Sequence, residues 1–166
     1  DLTRYSTQQA ILEDIVASLY AQGMRKLIIL SGHGGNNFKG MIRDLAFVYP
    51  DFLIIAADWF SIVPPKDYFE AVVDDHAGES ETSVMMHYHP ELVNLAEAGD
   101  GESQPFAIPS LNEKVGWAPR HWDKATVDSG VGNPKKASAE KGERYMKPVV
   151  EKLAKLFTEV GLGSLY

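Results

Sequence analysis

The 166-residue chain has no cysteine, which excludes disulfides, thiolate metal sites and a cysteine nucleophile. Its five histidines and its carboxylates are left as the strong metal ligands, so any metal is held by nitrogen and oxygen. Long apolar runs are also missing. None reaches the ~18–20 residues that span a bilayer, and the amino terminus lacks the basic-then-apolar plan of a signal peptide. A cytoplasmic protein with no membrane partner is therefore expected. Basic residues are few: 16 Lys and Arg against 23 Asp and Glu give a formal charge of -7. No basic run is longer than Lys135-Lys136, so the chain carries no electrostatic footprint for nucleic acid. Internal repeats and low-complexity linkers are absent as well, and one domain over 1–166 is the economical reading. An initial Met is lacking too; because Asp1 comes just before a helical pattern, an upstream segment is expected to precede it.

What is present suits an ordinary globular domain: 45% hydrophobic, 23% charged and 10% aromatic residues. Ser6 suits an N-cap. Ile11, Leu12, Ile15, Val16 and Leu19 then recur at helical spacing until Gly23, a good C′ residue, which predicts a helix over 7–22. Lys26–Leu30 is a short apolar run typical of a strand buried on both faces of a parallel sheet. After the loop Gly32–Asn37, Phe38, Met41, Ile42 and Leu45 predict a second helix to about Val48. Pro50 ends it before the apolar run Phe52–Ala57. This β–loop–α–β unit places the glycine-rich loop at the carboxyl end of a strand, where such folds bind ligands.

Residues 58–75 form an aromatic-rich connection suited to lining a pocket. A helix is expected from about Glu79 to His89, with Val84, Met85 and Tyr88 on one face. Residues 95–137 predict a long ordered loop with room for one hairpin. Ser138 then caps a last helix in which Tyr145, Val149, Leu153, Leu156, Phe157 and Val160 repeat at three and four, with Gly161 closing it. Pro148 should kink that helix or lie near a helix start. The pattern is that of an α/β domain with helices on both faces of a mostly parallel sheet.

Two constellations carry chemistry. In Ser31-Gly32-His33-Gly34-Gly35-Asn36-Asn37 a histidine follows a buried strand on a turn whose glycines let a backbone, ligand or metal approach closely. A tight β–α turn whose histidine only bonds its neighbours explains the same residues. Neither a Gly-x-Ser-x-Gly elbow nor a Gly-x-Gly-x-x-Gly loop occurs, so a serine hydrolase and a dinucleotide site both lose support. The second constellation, Asp74-Asp75-His76-Ala77-Gly78-Glu79-Ser80-Glu81-Thr82-Ser83, gathers carboxylates and a histidine at a loop-to-helix junction. Such a cluster is often just a solvated helix start, favoured by the macrodipole. Taken together with His33 it becomes a candidate for metal-assisted hydrolysis. His87 and His89, two residues apart on a helix, face different ways and are read as surface or packing residues, and His121 alone carries little. Trp117 and Trp122 are read as pocket wall or subunit contact.

Gly32-His33-Gly34-Gly35-Asn36 after a Leu/Ile strand, followed by His76-Ala77-Gly78-x-x-Glu81-Thr82-Ser83, resembles the creatininase (creatinine amidohydrolase) family. Ser129-Gly130-Val131-Gly132-Asn133-Pro134 with Ala137-x-Ala139-Glu140-x-Gly142 is similar to that family's segment before its last helix. The resemblance implies a three-layer α/β/α sandwich in a closed homo-oligomer, a hexamer among the options. It implies a carboxylate- and histidine-bound pair of divalent metal ions, Zn2+ with Mn2+ or Fe2+ as alternatives, whose activated water cleaves a C–N bond of a small amide. His33 takes the place of a metal ligand, and His76 and Glu81 match the catalytic histidine and its carboxylate. Gly34, Asp75 and His76 fall at substrate-binding positions.

Two departures qualify that picture. The family's other ligands lie in an upstream Glu-x-His-Gly…Asp segment, and no Glu-x-His occurs in this chain, so residues upstream of Asp1 are expected to complete the site. Creatininase proper carries a Glu two residues after the ligand histidine, where this chain has Gly35, which points to a relative acting on another cyclic amide or a formamide. The rival readings are a catalytically silent member that binds a small metabolite or serves as an oligomer scaffold, and a nucleotide-binding α/β domain.

Overall fold

Residues 4–164 and 166 are described in the computed structural model, so Asp1 lies outside them. By their internal contacts they divide into two units, one from the described parts of Asp1–Ile62 and Val149–Tyr166, the other Val63–Pro148.

In the first unit, α1 (Tyr5–Ala21) starts earlier than the pattern predicts. Ser6 is not its cap: Arg4 holds that position in an extended conformation, and its carbonyl takes the N–H groups of Thr7 and Gln8, so the serine hydroxyl is not needed there. The carboxyl end is as expected. Met24 N–H bonds Leu19 O at 3.1 Å and Gly23 N–H bonds Tyr20 O at 3.0 Å, a Schellman motif with Gly23 at φ 85°. β1 (Lys26–Ser31), α2 (Lys39–Val48) and β2 (Leu53–Asp58) follow, and β1 pairs in parallel with β2 from Lys26↔Leu53 to Ser31↔Asp58. Leu12 and Val16 of α1, Met41 and Leu45 of α2, and Phe52 and Ile54 form the core. β1 is less buried than a strand with two covered faces: Leu30 is 50% exposed, and β2 is the one partner strand of β1 among the described residues. Lys26 Nζ donates to the carbonyls of Val160, Gly161 and Gly163, so the first residue of β1 neutralises the carboxyl end of the last helix, α6 (Ala139–Leu162).

The second unit is built on short elements. β3 (Asp74–His76) pairs antiparallel with β4 (Val131–Gly132), α3 spans Glu79–Tyr88, and α4 (Pro109–Asn112) and α5 (Trp122–Ala125) interrupt what the sequence reads as a loop. The expected hairpin is replaced by that long-range pairing and an isolated bridge between Ser103 and Thr126. α6 begins as predicted, with Lys141 N–H bonded to Ser138 Oγ at 3.2 Å, and continues one residue past Gly161. Pro148 lies inside α6 rather than near its start, and the division between the units falls there. Tyr145 is buried against the edges of Tyr68 and Phe69, its hydroxyl donating to Val63 O at 3.1 Å.

The Ala-x-Ala-Glu-x-Gly segment has a packing reason: a Cβ on Gly142 would lie 2.1 Å from Ser83 O, so only glycine lets α6 approach α3 this closely. The face α3 buries is not the expected Val84, Met85 and Tyr88. Met85 and Tyr88 are exposed, and Glu79 and Ser83 are fully buried instead. Among the described residues no helix is long and apolar enough to cross a membrane.

Candidate functional site

The glycine loop leaves β1 at Ser31, which is buried and donates through Oγ to His33 O at 3.3 Å. Asn36 N–H closes the turn on the same carbonyl at 3.1 Å. His33 is exposed, and its ring lies over Gly35: a Cβ there would sit 2.9 Å from His33 Nε2. Gly35 is thus the residue that makes room for this imidazole placement. Gly34 faces the Phe60 ring. Between the loop, α2 and the carboxyl end of β2, a cavity of about 290 Å³ is lined by Asn36, Asn37, Lys39, Arg43 and Asp58 among others.

In the second unit the tip of β3 turns into α3 through Ala77, which holds φ at 50° despite having a Cβ. Two side chains from the first turn of α3 clamp that residue. Glu81 Oε2 accepts Ala77 N–H at 2.7 Å, and Thr82 Oγ1 donates to Ala77 O at 3.2 Å. Glu81 Oε2 also lies 4.0 Å from His76 Nδ1, within ion-pair range. Asp74 reaches forward to accept Ser80 N–H, and burial raises its carboxyl above the usual range. Asp75 is ion-paired with Arg120 at 2.5 Å. The Arg120 guanidinium sits 4.7 Å from the Trp122 ring centre, and the Trp122 ring lies 5.1 Å from that of His76.

Beneath this tip, Glu79 is fully buried, yet its partners satisfy both carboxylate oxygens. Oε2 accepts the N–H groups of Glu70 and Ala71 at 2.9 and 2.8 Å, and Oε1 accepts Lys141 Nζ. Lys141 and Lys136 both bond Glu70, whose carboxyl they hold down to about 2, the Lys136 hydrogen bond being the larger cause. Ser83, also buried, donates to Glu79 O at 2.6 Å and accepts Ser138 N–H.

Of the residues singled out in the sequence, Asp75, His76 and Glu81 come together around one turn, while His33 and Gly34 share the loop of the first unit. His87 packs on Tyr88, His89 bonds Glu91 at 3.2 Å, and His121 is exposed at the N-cap of α5. Trp117 is 85% exposed. Sequence reasoning missed Arg120 and Lys141, since a lone cation carries no pattern of its own, and it gave Glu79 no inward role. Among the described residues no group of three or more His, Asp or Glu is placed to hold a metal, so they do not by themselves fit a complete metal centre.

The family model described as Creatininase: Creatinine amidohydrolase matches residues 3–157. A solved structure from Bacteroides fragilis, provisionally assigned as a creatinine amidohydrolase, is 82% identical, with a TM-score of 0.96 over 99% of this chain and 65% of that one. The mycofactocin precursor peptide peptidase of Mycobacterium ulcerans is 32% identical over 131 residues, 76% of this chain and 45% of that protein. A creatininase variant solved in a Zn-Zn form is 24% identical, with a TM-score of 0.69 over 93% of this chain and 63% of that one, a likeness of fold alone. The chain thus spans less than two thirds of the length of each.

Proposed function

The chain belongs to the creatininase family, and from that premise we propose that the protein hydrolyses a C–N amide bond of a small molecule, with His76 and Glu81 handling protons. The observation that carries this reading is the clamped turn at Ala77. A strained residue persists where surrounding bonds over-determine it, and here the bonds come from Glu81 and Thr82 and fix the neighbour of His76. Glu81 lies on the Nδ1 side of the imidazole, and Nε2 is assigned as the atom that donates a proton to the departing nitrogen. Asp75, tied to Arg120, and Gly34 are the proposed substrate contacts.

We assign His33 as one ligand of a divalent cation, Zn2+ with Mn2+ or Fe2+ as alternatives. Such a cation supplies Lewis-acid polarisation and a water ionised near neutral pH. The Zn-Zn form of a creatininase supports this assignment, and the described residues alone do not complete the centre. Gly35, in place of the glutamate of creatininase proper, argues for a substrate other than creatinine; the peptidase relative widens the range to peptide amides. The finer proposals are a three-layer α/β/α sandwich, a homo-oligomer and a cytoplasmic location.

The test is turnover of creatinine and of short peptides by the full-length protein, with and without chelation. Hydrolysis that falls on chelation, returns with Zn2+ and drops about 10²–10⁴-fold in His76→Gln is expected. A metal-free preparation with full activity, or an unimpaired His76→Gln, overturns the reading.

A further inference from the structure

We propose that Trp122 is a positioning residue for His76 and that the Arg120–Asp75 ion pair seats it. The inference rests on the reading of His76 as proton donor. Asp75 and His76 are successive residues of β3, and Asp75 is the extra residue of an irregularity in its pairing with β4, between Asp74 and His76. One arm of the chain engages both: Arg120 takes Asp75 at 2.5 Å, and Trp122, two residues on, lays its ring 5.1 Å from His76 at 59°. Arg120 and Trp122 also hold each other, guanidinium over indole at 4.7 Å. The result is a continuous row from Asp75 through Arg120, Trp122 and His76 to Glu81.

The arm is itself fixed. Trp122 opens α5, and its carbonyl accepts both the N–H of Thr126 at 3.1 Å and the Thr126 hydroxyl at 2.9 Å, while Thr126 bridges to Ser103. Trp122 is 39% exposed, so most of the indole is covered where it lies, and an indole loses few rotamers when it is held. With the indole against the ring and Glu81 at Nδ1, rotation of the imidazole about its Cβ–Cγ bond is restricted and Nε2 keeps one direction. Orientation of this kind is worth one to two orders of magnitude in rate, on the order of what a ~1 Å misplacement costs.

The test reads His76 directly, in full-length protein labelled at histidine, through its Cε1–H and Cδ2–H resonances, assigned by their loss in His76→Gln. In Trp122→Ala both resonances are expected to move toward those of unstructured histidine as the indole ring current is lost. Trp122→Phe should keep most of the displacement, and Arg120→Gln an intermediate part. In the same proteins kcat on a short peptide should fall about 10–100-fold in Trp122→Ala with little change in KM, and recover in Trp122→Phe. Unmoved His76 resonances in Trp122→Ala overturn the proposal. If Trp122→Ala does not fold, unmoved His76 resonances in Arg120→Gln overturn it equally. Turnover that survives His76→Gln refutes the functional reading instead, while the resonances still test Trp122 independently.

Discussion

Ala77 is the residue at which backbone energy and site geometry meet. A left-handed φ of 50° costs a residue with a Cβ about 1–2 kcal/mol, and Glu81 and Thr82 hold it there. Ala77→Gly removes that cost but adds about 0.5–1 kcal/mol of backbone entropy to the unfolded chain. A net gain of up to about 1 kcal/mol in unfolding free energy is expected, together with lower turnover because the tip of β3 can now sample other conformations beside His76. Denaturant unfolding and initial rates measured on one preparation check both. A variant that loses both stability and activity would show that φ at Ala77 is not strained. His33 makes the complementary point about glycine. The sequence shows that glycines flank it, but only the fold shows that Gly35 is the one its ring covers.

At the level of elements, α3 is held by polar groups in place of the apolar face its sequence suggests. Glu79 is fully buried, with Lys141 as its charged partner, and hydrogen bonding to Glu79 raises the lysine above its ordinary value. Lys141→Met strands that carboxylate and is expected to cost about 3 kcal/mol, while Lys141→Met with Glu79→Gln should recover a large part, both read from urea unfolding. Equal losses in the single and double variants would mean the two residues are not coupled.

Pattern reading failed here for a physical reason: periodicity treats a glutamate as outward-facing, and nothing local in the sequence reveals a lysine 62 positions away. Where a signal is local it was legible. The apolar spacing of α1 and α2, the Schellman end at Gly23, the cap at Ser138 and the apolar runs 26–30 and 52–57 that become β1 and β2 are all visible in the sequence, because each is fixed by neighbours within a turn or a strand. The β3–β4 pair was not, since Asp74–His76 is polar and Val131–Gly132 is too short to have a period. Of the candidate site, the histidines and Glu81 could be read from motifs, whereas Arg120 and the clasp it forms with Trp122 exist only in three dimensions.

The net charge of the chain sets how it responds to acid. A formal charge of -7 means that mild acidification first relieves self-repulsion. Asp74 acts in the same direction: its folded value is raised by burial, so the unfolded chain binds fewer protons, and its protonation as the pH falls favours the folded state. Glu70 acts oppositely. Lys136 and Lys141 hold its folded value to about 2 against an ordinary 4.5. The stability it contributes is therefore fully present above about 4.5 and is lost as the pH falls toward about 2. Glu70 is exposed, so salt should screen much of this contribution. Urea midpoints followed down that range are expected to decline less steeply in Glu70→Gln than in the parent, and the gap between the two should narrow at high salt. Parallel curves at low salt would show that the Glu70 pairs with Lys136 and Lys141 do not stabilise the folded chain in solution.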